Sequence, residues 1–372
     1  MGDNLTDPPK ILLVSPALHP FGGTEKIFWE DLHELSELKP SVLVPSSQRR
    51  YRSDLPLRTV PLGPSRLPFS FELWLISATL FLQYKGRSYP IRYSPGMNAF
   101  FTTHITLHCS FRWIMEILRS LPFPMGVLPR DLRLRRLALL ESLFYRLRPP
   151  RVLCLSRISE RKLKEYDPEV DTFLLPPPRE LFPSELPPSF PSPAEVRKAL
   201  GIPPGAKVIL CVGNDFRIKG QDLFLKVLSA LEGEGVIGIL IGNESLERIS
   251  TWGRVRIPGN LRWRRRFQPI ESLYRAVDLL LHPSRGEVLG LPPLEAYALG
   301  TPVLVSSYAG SSEFLPPDCL LPSLDLEPLI EMVRTRLKEG KDHSTSPLPL
   351  PTRVERSAHF KEWLLSSKGG EP

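Results

Sequence analysis

The feature that most constrains the fold is an alternation that runs through the chain twice. Short apolar runs at 10–15, 41–44, 99–103, 151–156 and 172–175, then at 207–212, 236–241, 278–281 and 302–306, are interleaved with helix-length segments at 69–84, 160–166, 221–231, 270–276 and 326–338. Runs that are apolar on both faces are expected of parallel strands covered by helices, and a strand-helix-strand order winds them into a doubly wound sheet. Between the two series, residues 176–193 are so rich in proline that regular structure cannot continue there. Two Rossmann-like doubly wound domains facing each other across a cleft are therefore expected, as 372 residues also suggest. Their ranges are 1–182 and 183–350. Residues 351–372 form a last helix, expected to pack back toward the first domain before a frayed tail.

Charge is unevenly placed. From Cys109 to Lys164 thirteen Lys and Arg face four acids, so this segment accounts for the whole formal surplus of +8. Within it, Leu134, Leu137, Leu140, Phe144 and Leu147 share one helical face, with Arg135, Ser142 and Arg146 opposite. An arginine-rich amphipathic helix preceded by Trp113 and Phe111 fits an anionic membrane surface, and equally an ordinary helix with a solvated basic face. No recognised nucleic-acid module accompanies the charge, so nucleic acid is not an expected partner.

The apolar stretch 67–84 is interrupted by Glu72 and Gln83 and falls short of the ~20 residues that span a bilayer. Residues 1–10 are polar, so no export signal is expected. The four cysteines form no Cys-x-x-Cys pair, and reduced thiols in a cytoplasmic, peripherally membrane-associated monomer are the expectation.

Chemistry concentrates where strands run into helices. Residues 284–300 place Glu287 and Glu295 across a loop that enters a helix, so that the amides of Val288, Leu289, Gly290 and Leu291 are available to a phosphate. Glu295 lies inside the helix, where it can accept from sugar hydroxyls. The loop after 207–212 carries Asn214, Arg217 and Lys219 on the same edge of the sheet. Cations beside helix N-termini, facing two carboxylates, suit a nucleotide diphosphate with a sugar attached. A solvated strand-to-helix loop fits residues 284–300 as well when they are taken alone. Gly22 and Gly23 precede a helix without forming Gly-x-Gly-x-x-Gly, which argues against a dinucleotide fingerprint. His104, read as ending the 99–103 strand, is a candidate to contact sugar or handle a proton. Asp-x-Asp does not occur, so cations rather than a divalent metal are expected to neutralise phosphate.

Gly-x-x-x-x-x-Lys-Gly at 213–220, Glu-x-x-Gly-Leu-Pro-x-Leu-Glu-Ala at 287–296, Gly-Thr-Pro-Val at 300–303, Gly-Ser-Ser-Glu at 310–313 and Gly-Gly-x-Glu at 22–25 stand in the order and spacing of the retaining glycosyltransferases of family 4. The chain resembles that family, whose fold is GT-B. Pro-Phe-Gly-Gly at 20–23 and Asp-Leu-Leu-Leu-His-Pro at 278–283 are similar to the lipopolysaccharide core transferases that add glucose to heptose. The resemblance implies transfer of a hexose, glucose first, from a UDP-sugar to a lipid-linked or cell-envelope glycan, with no cofactor and no metal.

It also implies roles. Arg217 and Lys219 hold the diphosphate and stabilise it as leaving group, with Asn214 standing where many members carry arginine. Glu295 takes the ribose hydroxyls and Glu287 the transferred sugar. The amides of 288–291 meet the distal phosphate, and Gly22 and Gly23 approach the diphosphate from the other domain. Family members often have Glu-Gly-Phe-Gly where this chain has Glu-Val-Leu-Gly. A valine at 288 is costly if that position needs φ > 0. A sugar-nucleotide epimerase on the same fold and a non-catalytic membrane- or nucleic-acid-binding protein are the alternatives.

Overall fold

The computed structural model describes residues 10–17, 22–45, 58–62, 71–85, 88–122, 125–126, 131–340 and 346–366. The frayed tail expected at the C-terminus, Pro20 and Phe21 lie outside them. The chain divides into two compact units, one formed by Met1–Ser110, Leu137–Pro177 and Pro351–Pro372, the other by Phe111–Arg136 and Pro178–Leu350.

In the first unit the strands are β1 (Ile11–Val14), β2 (Ser41–Pro45), β3 (Arg58–Leu62), β4 (Ile91–Pro95), β5 (His104–Thr106), β6 (Arg151–Cys154) and β7 (Thr172–Leu174). They pair in parallel in the order β3-β2-β1-β4-β5-β6-β7. Helices α1 (Gly23–Glu34) and α2 (Phe71–Tyr84) follow β1 and β3. Between β5 and β6 in sequence lie α3 (Phe111–Ser120), which belongs to the second unit, and α4 (Leu132–Leu147), which belongs to the first from Leu137 on, and α5 (Arg157–Tyr166) follows β6. Ser156 starts α5 with a reciprocal capping box to Ser159.

The long stretch of the second unit opens with α6 (Pro193–Ala199), where Ser192 and Glu195 cap each other and Pro193 supplies a fixed φ at the first helical position. Strands β8 (Lys207–Val212), β9 (Val236–Ile241), β10 (Leu261–Arg264), β11 (Leu279–His282), β12 (Val303–Ser306) and β13 (Leu320–Leu321) pair in the order β10-β9-β8-β11-β12-β13. A one-turn helix α7 (Phe216–Lys219) and α8 (Gln221–Ala230) follow β8, and α9 (Leu246–Gly253) follows β9. Then come α10 (Ile270–Ala276), α11 (Leu291–Ala298) and α12 (Leu326–Glu339). Phe224, Leu228, Leu281, Leu304 and Val333 belong to its core, each nearly or fully buried. Helix α13 (Arg353–Leu365), capped by Thr352 and Glu355, returns to the first unit.

Three sequence readings are corrected. Residues 99–103 form turns, and the strand starts at His104. The neighbouring strand β4 was hidden by Arg92, Ser94 and Pro95, and the edge strands β3 and β10 by proline or alternating arginine. The aromatic part of the basic segment is not a free face. Ile117 and Leu118 of α3 are buried with Ile218, and Trp113, Ile114, Leu121 and Leu134 pack around them, all within the second unit.

Candidate functional site

In the second sheet β8 has β9 on one side and β11 on the other, so the winding reverses between β8 and β11. Ligands of open parallel sheets bind beyond the carboxyl ends of the strands at such a reversal. Lys219 follows β8, His282 ends β11, and Glu287 follows it: all three stand at that point.

Local backbone explains how they get there. Asp215 adopts φ 56° and caps α7, accepting from Arg217 N–H at 3.3 Å. The Lys219 stem lies flat on Gly213, where a Cβ would come within 2.8 Å of its Cγ. Gly220 has φ 68°, and a Cβ there would strike the Pro283 carbonyl, so the turns after β8 and β11 touch backbone to backbone. Arg285 fastens them further. Its amide donates to the Ile218 carbonyl at 2.8 Å, and its guanidinium holds fully buried Asp222 through two 2.8 Å bonds.

Glu287 itself is pinned by backbone. Its N–H donates to the Tyr308 carbonyl at 3.1 Å, and its carbonyl accepts from Gly310 N–H at 3.0 Å. Its carboxylate takes Lys219 Nζ on Oε1 and stands 2.7 Å from His282 Nε2 at Oε2. Burial pushes this carboxyl up, but Lys219 and His282 outweigh burial and hold it down at about 2, so it is ionised throughout the physiological range.

Glu295, also buried, accepts from the Tyr274 hydroxyl at 2.8 Å. Burial and the Glu295 carboxylate push that hydroxyl well above its ordinary value, which keeps it a donor.

The turn of the loop falls on Gly290, with φ 84°. A Cβ there would lie 3.0 Å from Glu287 Oε2 and 3.3 Å from Ser311 Oγ. The feared strain at Val288 is thereby corrected, since the position that needs glycine has one. Val288, Leu289 and Leu291 are buried apolar anchors for the loop. Pro292 and Pro293 remove two of the N–H groups that a helix start normally offers. The helix start itself keeps the N–H groups of Gly290 and Leu291. The Ser311 hydroxyl is buried beside them without a hydrogen-bond partner among the described residues.

Other predicted residues stand differently. Arg217 is buried, with its guanidinium on Asp131 at 3.0 and 3.5 Å and 5.9 Å from the Trp252 ring, while its carbonyl accepts from Arg285. Its cation is already neutralised by a carboxylate. Asn214 Oδ1 accepts from the Asn243 amide at 2.9 Å and ties the loops after β8 and β9. Gly22 caps α1 in an extended conformation and Gly23 opens that helix in the first unit.

His104 is the clear correction. It begins β5 rather than ending a strand, so it lies at the amino edge of the first sheet. There it packs edge-on against Trp363 at 4.9 Å and bonds Thr103 Oγ1 at 2.9 Å. Burial and Arg151 lower its pKa to about 3, so it is a neutral packing histidine.

Sequence reasoning missed His282, Tyr274, Ser311 and the Arg285–Asp222 pair. Signals were available for two of them, because His282 sits at the end of a fully buried strand and within the motif at 278–283, and Ser311 within the motif at 310–313. Among the described residues, no group of three or more His, Cys, Asp or Glu side chains is placed to hold a metal ion.

Residues 193–318 match the family described as Glycosyl transferases group 1. This stretch of the second unit is similar to group 1 glycosyl transferases. Curated relatives match about a third of the chain. The lipopolysaccharide core biosynthesis mannosyltransferase LpsB of Rhizobium meliloti (strain 1021) is 35% identical over 136 residues, 32% of this chain and 37% of that protein. The D-inositol 3-phosphate glycosyltransferase of Mycolicibacterium gilvum (strain PYR-GCK) is 32% identical over 126 residues, 32% of this chain and 28% of that one. The chain thus spans well under half the length of the curated relatives it matches.

Solved structures extend the likeness of fold to both units. WaaG, a glycosyltransferase involved in lipopolysaccharide biosynthesis, superposes with a TM-score of 0.66 at 19% identity, over 95% of each chain. Anabaena HepE in complex with UDP-glucose gives 0.65 at 17% identity, over 95% of this chain and 99% of that one. The chain therefore has the GT-B fold, with each unit built on a parallel sheet.

Proposed function

We propose that the protein is a retaining glycosyltransferase that moves a hexose, glucose in the first instance, from a UDP-sugar to a lipid-linked or cell-envelope glycan such as lipopolysaccharide core, without a metal ion. The observation that carries this reading is the Lys219–Glu287–His282 cluster, set beside the loop 287–290 at the reversal point of the second sheet, in the stretch similar to group 1 glycosyl transferases. The names of the relatives support it, since LpsB is a core mannosyltransferase and HepE holds UDP-glucose.

Each residue has a task in this reading. Lys219 neutralises the diphosphate as it leaves, helped by the amides of Val288 to Leu291. Glu295, oriented by Tyr274, accepts from the ribose hydroxyls, and Glu287 accepts from the hexose. Arg217, already paired with Asp131, shapes the loop and holds Arg285 through its carbonyl. The bond from C1 of the hexose to the phosphate oxygen breaks, and the acceptor oxygen bonds C1 on the same face. The acceptor proton passes to the departing phosphate oxygen. Titration calorimetry with UDP, followed by NMR of the product anomer, tests the reading. UDP binding and a product with the donor's anomeric configuration support it. Absence of UDP binding, or inversion, refutes it.

The membrane contact belongs to a different face of α4 from the one read in the sequence. Leu137 and Phe144 are buried, whereas Leu132, Leu139 and Leu147 are 59%, 62% and 68% exposed. With Leu143 they fall on one side of the helix, flanked by exposed Arg135, Arg136 and Arg146. Leucines between arginines suit the interface of an anionic leaflet, each cation contributing ~1 kcal/mol. Among the described residues no helix is long and apolar enough to cross a membrane. Contact with the cytoplasmic face of the membrane is proposed on this stripe.

A further inference from the structure

Glu287 is engaged at both carboxylate oxygens, one by Lys219 and one by His282. Yet the function proposed above asks Lys219 to hold phosphate and Glu287 to hold sugar. The same ion pair therefore occupies both donor-binding groups at once.

The two partners differ in freedom. Glu287 is fixed by two backbone bonds, and His282 is 1% exposed in the last position of a central strand. The Lys219 backbone is fixed by α7 and the near end of its side chain by Gly213, but beyond that contact the ammonium lies on a rotatable stem. The ammonium is the part that can move.

We infer that this ion pair is a donor-operated latch. A diphosphate carries more negative charge than one carboxylate, so its arrival draws Lys219 off Glu287. The released Oε1 then accepts the sugar hydroxyl, while His282 keeps Oε2 in register as a positioning residue. Binding becomes ordered by charge: diphosphate first, hexose second. No covalent bond changes in this step.

The inference rests on the glycosyl-transfer reading, and one set of affinities separates the two. UDP binding is measured by calorimetry for the wild-type protein, E287Q, K219A and the double variant. Glutamine is isosteric and leaves both backbone bonds of residue 287 in place. With the latch, E287Q binds UDP roughly five-fold more tightly, because breaking a part-exposed ion pair no longer opposes binding. K219A binds UDP more weakly, and adding E287Q to it brings no gain. An equal gain in both backgrounds means simple repulsion between carboxylate and phosphate and overturns the latch, as does no gain at all. Failure of the wild-type protein to bind UDP overturns the underlying reading instead. A crystal structure of the wild-type protein with UDP decides the matter without a variant. Lys219 on the diphosphate and beyond 4 Å from Glu287 supports the latch, and Lys219 still on Glu287 refutes it.

Discussion

Replacing Arg356 with methionine should destabilise the first unit in a pH-dependent way. Arg356 on α13 is fully buried and donates to Asp31 at 2.8 Å, to Glu34 at 2.6 Å and to the Pro176 carbonyl at 3.1 Å. Tyr93, itself 2.5 Å from Thr106 Oγ1, donates to the other Asp31 oxygen. Removing one member of such a buried ionic group leaves the others desolvated and uncompensated, at about 3–5 kcal/mol. Burial raises Asp31 and, against the pull of Arg356, raises Glu34 to about 7.

A carboxyl raised in the folded state favours the neutral form. Its contribution to stability is therefore full below its ordinary value near 4.5 and is lost as pH climbs through about 7. For the wild-type protein that loss is about 3 kcal/mol between pH 4.5 and 8. Without Arg356 the penalty grows toward alkaline pH, where Glu34 has to ionise unpaired. Urea unfolding followed by far-UV circular dichroism at pH 5, 6.5 and 8 measures it. The R356M midpoint should fall by roughly 1–2 M at pH 8 and by less at pH 5. A midpoint equal to wild type at pH 8, or a deficit that does not change with pH, refutes the reasoning.

Three further outcomes are expected. Gly290→Ala places a side chain at φ 84° and 3.0 Å from Glu287 Oε2, so thermal unfolding should report a loss of about 1–3 kcal/mol together with weaker UDP binding. Gly213→Ala displaces the Lys219 stem, so calorimetry should show reduced UDP affinity while the variant stays folded by circular dichroism. Leu139→Glu with Leu143→Glu removes the exposed leucine stripe of α4 and should abolish cosedimentation with anionic vesicles while UDP affinity is unchanged. Retained sedimentation by that double variant removes the stripe from the account.

The second unit was more legible than the first, and the reason is burial. Strands such as β8, β9 and β11 are covered on both faces and read as unbroken apolar runs, so the loops that follow them could be placed to within a residue. In the first unit β4 carries Arg92, Ser94 and Pro95, which moved the reading of the next strand and put His104 at the wrong end of it. Lys219, Glu287 and Glu295 were visible because each follows a strand at fixed local spacing. Their partners were not, because pairing is tertiary: Arg217 meets Asp131 from 86 residues away, and Glu295 meets Tyr274 across 21. The apolar residues around Trp113 do not by themselves say that Ile218 covers them. Arg356 stands at helical spacing with Phe360, Trp363 and Leu364 and shares their buried face, but an arginine at that position gives no apolar signal in the sequence.

The central claim is that Lys219 and its neighbours transfer a hexose from a UDP-sugar. Release of UDP is the direct measurement, made with a panel of UDP-hexoses and membrane extract as acceptor, on the wild-type protein and on K219A. Expected are acceptor-dependent UDP release by the wild-type protein and a fall of about 100-fold or more in K219A, with the variant still folded by circular dichroism. Equal turnover by the two proteins contradicts it.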